Sequence, residues 1–523
     1  MLKKLIQYAV PISIFIYTAA FLLLFPYYKF IFDPDAIGYS AVAERVADGN
    51  YFESVNGLWS PLSSWLAVPL IKLGIDTLIA FKYINGITGI FLLLFTFKLL
   101  NKFILTDWLK TMILYTCVLI FLSYCFYELC ADFLLLLFFV LYLIQISSAD
   151  FFQNKKRIFF CSLIAVGAYL SKAYFFPFFL AHFLLINFYH YKISVATNKL
   201  KIFFRNISIG LITFLFLCTP WIYALSVKYG YVTYSNTGKY NTYLHLHTIS
   251  LYEKLVIPPP YVDALNSWDD PWQPFMKDFS VFSSFTNIIN QIKLFFINLA
   301  GSPPYFTEIS FLCLVIIAAI IFFSISKKTI FNIPRNVRLL IITAILMPLG
   351  YLLFHLETRF IWIESILCLI AGAYLISIAF NNFLFTKAQK AFLLLIFFGS
   401  FLIGPLQSLK NGINSGKENY ELAEAFKKNN ITGKVMSNYL NQDQYRTLLM
   451  SNVIAKNQFY NYSRPDFSNE DILASIKEFD IDYFIFSFNN EFEKDLFITS
   501  NLYKSAAASI KGIYPGIMVL KLK

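Results

Sequence analysis

The sequence predicts an all-α polytopic membrane protein of about eleven transmembrane helices, followed by a small C-terminal α/β soluble domain. Three observations predict this. The 523 residues are 58% hydrophobic and 19% aromatic with only 14% charged, too apolar for a soluble globular chain. Between residues 6 and 408, apolar runs recur at the length of about 20 residues that a bilayer demands, several broken by single polar residues. After about residue 408 the pattern changes to short helical and strand-like segments with charges on one face.

The first run, residues 6 to 25, follows two lysines, as a secretory signal would. No small-residue cleavage site follows and more spans do, so it reads as the first transmembrane helix. Basic residues then fall in every second loop, from Lys3 and Lys4 through Lys155 to Arg157 and Lys327 to Arg338, up to Lys387 and Lys390. That alternation is a topology signal. It accounts for the net charge of +12 without nucleic acid, which would ask for one basic face studded with aromatics. It places outside residues 26 to 77, the turn from Glu128 to Asp132, the turn from Ser171 to Pro177, the segment 226 to 305, the turn from His355 to Arg359, and residues 409 to 523. The transmembrane domain is thus residues 1 to 408, with outer loops 26–77 and 226–305.

The tail alternates helix and strand. "NYELAEAFKKN" and "NEDILASIKEF" have helical period, while "GKVMSNY", "DYFIFSF" and "GIMVLKL" read as strands. It carries no phosphate loop, metal cluster or nucleophile elbow. The seven cysteines lack paired spacing, and Cys161, Cys218, Cys313 and Cys368 lie inside apolar runs. They read as small buried residues rather than a disulfide framework or zinc site.

An ionisable residue in or beside a span costs roughly 2.5 to 3.5 kcal/mol on insertion scales, so each one asks for a reason. "FDPDAIGYSAVAERVADGNYF" places Asp33 and Asp35 around Pro34 just outside the first span. One of them caps the polar helix that follows, or both serve chemistry. Asp35 reads as the base and Asp33 as its capping neighbour. Glu128 and Asp132, in "YELCADFLLLLFF", would share a helical face, with capping by Asp132 as the alternative. Lys172 in "AYLSKAYFFPF" and Arg359 in "HLETRFIWIESI", beside His355 and Glu357, are outer-side cations suited to phosphate. Snorkelling is the alternative for Lys172. His245 and His247 in "TYLHLHT" would face one side of a strand and hold a metal weakly, with no third ligand nearby. The loop "PPPYVDALNSWDDPW", residues 258 to 272, offers aromatics that could stack on sugars or simply pack as a rigid loop.

Taken in order along the chain, these pieces resemble the GT-C glycosyltransferases, in particular the branch of protein O-mannosyltransferases and lipid A aminoarabinose transferases. The likeness covers residues 1 to about 408. It rests on the aspartate-bearing first loop, "WSPLSSWLAVPL", "ADFLLLLFFVLYL", "AYLSKAYFFP", "TPWIYAL" and "ETRFIWIESILCLIAG". The resemblance implies the GT-C fold and an inverting transfer of a sugar from a polyprenyl phosphate to an acceptor of the cell envelope. It further implies a first-loop aspartate as base, in a bacterial inner membrane with the active site and C-terminal domain on the extracytoplasmic side. Trp59-Ser60-Pro61 stands where some relatives carry a lysine, and Phe360 where tyrosine is common. No β-trefoil insertion is present, so a lipid or glycan acceptor is expected over a protein. No cofactor is required by these motifs, and a divalent metal stays open. The rival class is a lipid or glycan transporter or flippase, which predicts inverted repeats and broken helices at mid-membrane. The sequence has neither.

Overall fold

The computed structural model describes residues 7–127, 131–246, 256–325, 333–438, 442–462 and 469–523. Among the described residues six helices are long and apolar enough to cross a bilayer, including Ala9–Tyr28, Thr77–Leu100, Asp107–Tyr127, Lys199–Tyr229 and Ile363–Asn382. A seventh span is reached if Phe285–Ile309 and Cys313–Ile325, bent by 107° at their junction, are counted as one. Four further helices, Asp132–Ile146, Lys155–Ser171, Phe175–Ile193 and Arg335–Tyr351, are shorter or more polar. The expected eleven is the count only when all of these cross.

Between the first two long helices stands Pro34–Asp48, whose ends are written in its sequence. Asp33 is the N-cap, its Oδ1 accepting from the Ala36 N–H at 3.1 Å. Pro34 follows at the first helical position and Asp35 in the first turn, where the dipole favours an anion. Gly49 closes the helix at φ +87°, a left-handed conformation that a side chain resists.

Packing fixes where this helix lies. Gly38 faces the Trp59 indole so closely that a Cβ there would collide with it. Ser64 donates to the Tyr39 carbonyl at 2.8 Å from the next helix, Pro61–Lys72. Buried Tyr39, Trp59, Met276, Leu422, Val435 and Phe459 belong to one apolar cluster, which joins the first loop, the long loop and the tail.

The tail carries the expected helices Lys417–Lys428 and Asn469–Phe479 and a sheet in the order β1-β3-β2-β4-β6-β5. The strands are β1 Val256–Ile257, β2 Lys434–Ser437, β3 Gln458–Tyr462, β4 Tyr483–Ser487, β5 Ala508–Tyr514 and β6 Ile517–Lys521. β2 lies parallel to β3 and β4, while β6 runs antiparallel to β4 and β5. Two features differ from the sequence reading. The helix Lys387–Gly412 runs through residue 408, so that boundary falls inside an element. The sheet also takes β1 from the loop 226–305, paired antiparallel to β3. An edge strand leaves a row of unpaired amide groups, and β1 covers part of it.

Candidate active site

Four separate elements deliver charged side chains to one cavity of about 490 Å³. Asp35 comes from the first turn of Pro34–Asp48, and Asp132 from the first residue of Asp132–Ile146. Lys172 stands where the helix Lys155–Ser171 stops, in extended backbone at φ −151° and ψ 121°. Arg359 sits in the 3-10 turn Thr358–Ile361 that leads into Ile363–Asn382.

Arg359 is the hub. Its Nη1 donates to Asp33 Oδ2 and its Nη2 to Asp35 Oδ2, each at 2.8 Å, and its Nε donates to Glu357 Oε2 at 2.5 Å. His355 Nε2 and Glu357 Oε1 lie 2.6 Å apart. Lys172 is paired with Asp132, and its ammonium sits 3.9 Å from the centre of the Phe360 ring. Tyr351 stacks between Tyr174 at 3.7 Å and Phe360 at 4.6 Å, making an aromatic wall behind these cations. Gly350 allows that stack, because a Cβ there would meet the Tyr174 ring at 2.6 Å.

The two aspartates differ in surroundings. Asp33 is 5% exposed at its side chain and is committed to the cap and to Arg359. Asp35 keeps 29% exposure and lines the cavity. Burial, then the adjacent Asp33 carboxylate, push the Asp35 carboxyl up to about 6, against the pull of Arg359. Burial also pushes Glu357 up, but hydrogen bonding from His355 and the Arg359 charge outweigh it and hold it at about 2.

The expected residues are thus placed unevenly. Asp33, Asp35, Glu357 and Arg359 are brought into direct contact, and Asp132 pairs with Lys172 instead of capping its helix. Arg359, expected to contact a phosphate, is fastened to three carboxylates and also lines the cavity. Glu128 and His247 lie outside the described residues. His245 is on the helix Thr237–Leu246, which corrects the strand expected for it. The segment has no β-branched run to hold a strand. Its imidazole stacks 6.2 Å from that of His355, and burial followed by the His355 charge lowers its pKa, favouring the neutral ring.

No family model matches the chain, and no curated protein matches it. Solved structures do. The chain aligns over 92% of its length with 68% of an Archaeoglobus fulgidus oligosaccharyltransferase in complex with zinc and sulfate, at a TM-score of 0.55 and 10% identity. It aligns over 97% of both chains with ArnT from Cupriavidus metallidurans bound to undecaprenyl phosphate, at a TM-score of 0.53 and 11% identity. The chain has the GT-C fold. It is an integral membrane protein by that fold and by its apolar helices.

Within this GT-C fold the fit to a divalent ion is poor. Asp33, Asp35 and Glu357 are each bonded to Arg359, Asp132 is bonded to Lys172, and among the described residues no group of three or more His, Cys, Asp or Glu is set to hold a metal. The guanidinium stands where a cation shared by the two first-loop carboxylates would stand.

The GT-C cavity also has walls that the sequence reading did not single out. Tyr39 and Asn241 line it, as does Tyr351. Tyr39 had a signal, since it stands four residues after Asp35 and so on the same helical face. Asn241 had none, for its segment shows no helical periodicity strong enough to orient it.

Proposed function

We propose that the protein is an inverting glycosyltransferase moving a sugar from a polyprenyl-phosphate-linked donor to a hydroxyl of a cell-envelope acceptor, lipid or glycan in preference to protein. In this reading the cavity and the C-terminal α/β unit, residues 409–523, lie on the extracytoplasmic side of a bacterial inner membrane. The observation that carries it is a carboxyl near neutrality, Asp35 at about 6, facing the same cavity as the cations Lys172 and Arg359.

The chemistry follows from those groups. Asp35 takes the acceptor's hydroxyl proton as its oxygen bonds to the anomeric carbon from the face opposite the phosphate. The bond from that carbon to the phosphate oxygen breaks, and its electron pair stays on the leaving polyprenyl phosphate. A base works best when its pKa lies near the working pH, which suits Asp35. The departing phosphate is already a stable anion, so it asks for fixed cations more than for an acid, and Lys172 and Arg359 are held by carboxylates and by aromatic faces. Arg359 also keeps Asp33 and Asp35 side by side.

Mass spectrometry of lipids retained by the purified protein tests the donor class. The expected result is a co-purifying polyprenyl phosphate, or micromolar binding of added undecaprenyl phosphate that weakens in Lys172→Met. A purified protein that neither retains nor binds undecaprenyl phosphate overturns the reading.

A further inference from the structure

The loop 258–272 is held by a network of buried charge. Arg45 Nη2 donates to Asp269 Oδ2 at 2.9 Å, with the two side chains 5% and 3% exposed. Lys228 lies 3.5 Å from Asp270, at 8% and 3%. Tyr229 and Tyr261 both donate to Asp270 Oδ2, at 2.9 and 2.6 Å. Buried ion pairs add little net stability over an apolar filling, and their better use is to specify one geometry. What this network specifies is the position of Trp268.

Trp268 lines the cavity next to Trp59. The Trp59 Nε1 donates to the Trp268 carbonyl at 2.9 Å, the two rings meet edge to face at 6.1 Å, and Tyr39 lies 5.4 Å from Trp59. Asn56 ties both sides together, accepting from the Leu58 and Trp59 amides at 2.9 and 3.1 Å and donating to the Asp269 carbonyl at 2.7 Å. Thr237 donates to the Leu58 carbonyl at 3.1 Å, which brings the start of the helix Thr237–Leu246 alongside. One turn further on, Asn241 also lines the cavity, and its amide has no hydrogen-bond partner among the described residues. This stretch of wall, Tyr39, Trp59, Ser235, Thr237, Asn241 and Trp268, carries no charge.

We propose that Trp268, backed by the buried Trp59 and Tyr39, is the platform on which the transferred sugar ring stacks, and that Asn241 hydrogen-bonds its hydroxyls. An uncharged pyranose is the class that fits, because its C–H face packs on an indole while its rim needs neutral donors and acceptors. The buried network preorganises this wall, so less ordering is needed when the ring arrives. The proposal rests on the polyprenyl-phosphate reading and adds the sugar's place to it.

The test compares two lipids on the full-length protein in detergent, undecaprenyl phosphate and undecaprenyl phosphate carrying glucose. Trp268→Ala leaves the backbone carbonyl that Trp59 uses. It is expected to weaken the glucose-bearing lipid by about tenfold while the bare lipid stays within about twofold, and Trp268→Phe is expected to recover most of the loss. Asn241→Ala is expected to show the same selectivity. Equal weakening of both lipids, or no weakening of either, overturns the platform while leaving the phosphate site standing. A wild-type protein that binds neither lipid overturns the donor reading and this proposal with it.

Discussion

Asp35 is set apart from Asp33 by the side chain's outlook rather than by sequence position. One carboxylate is spent on a helix cap and on Arg359, while the other faces the cavity with its pKa pushed up to about 6. The base form is absent well below that value and dominant above it. Turnover should therefore rise as pH increases through about 6 and level off, and a pH–rate profile flat from pH 5 to 8 would contradict the assignment. Lys172 makes a second prediction. Its side chain is 18% exposed and its partner Asp132 only 3%, so Lys172→Met leaves a buried carboxylate unpaired at a cost of roughly 3 to 5 kcal/mol. The double variant Lys172→Met with Asp132→Asn should regain most of that in thermal unfolding, and equal instability of single and double variants would argue against the pair. The candidate residues were legible because charge beside a span is costly enough to demand a reason. Their partners were not. Asp35 and Arg359 stand 324 positions apart, and no spacing rule connects them.

At the scale of elements, Pro34–Asp48 was readable end to end from Asp33, Pro34 and Gly49. Its packing rests on Gly38, where the Trp59 indole lies against the backbone. Gly38→Ala should push that indole away at about 1 to 3 kcal/mol, seen as a lower unfolding temperature and as a shift in tryptophan emission. An unchanged spectrum would mean that Trp59 is elsewhere. The tail strands β2, β4 and β6 follow apolar runs and were expected. β5 was missed because Gly512, at φ +73°, and an irregular register between Ile510 and Tyr514 break its alternation. The His245 segment was misread for the converse reason, since an alternating pattern of two residues is too short to tell a strand from a helix.

At the scale of the molecule, the membrane bundle and the tail are joined through the loops 26–77 and 226–305. β1 pairs with β3, the Phe459 amide donates to the Leu265 carbonyl at 2.6 Å, and Lys456 reaches Glu44 at 2.7 Å. This union was invisible in the sequence, where β1 is two residues long and stands about two hundred positions before its partner. The Lys456 pair is largely exposed, so Lys456→Ala should change stability by no more than about 1 kcal/mol. Phe459 is fully buried in the shared cluster, and Phe459→Ala should lower stability by about 3 to 5 kcal/mol in the same melting assay. A reversed order would place the joint on charge rather than on apolar packing. The joint also ties the tail to the loop that carries Trp268, which lines the cavity.

In the proposed reaction this cavity transfers a sugar from a polyprenyl phosphate with Asp35 as the base. Its most direct measurement is the release of undecaprenyl phosphate from a radiolabelled lipid-linked sugar by purified wild type, Asp35→Asn and Asp33→Asn, each checked to be folded and to bind bare undecaprenyl phosphate. Wild type should turn over, Asp35→Asn should fall by about 10² to 10⁴ with lipid binding kept, and Asp33→Asn should fall less. Turnover in Asp35→Asn equal to wild type would contradict the account.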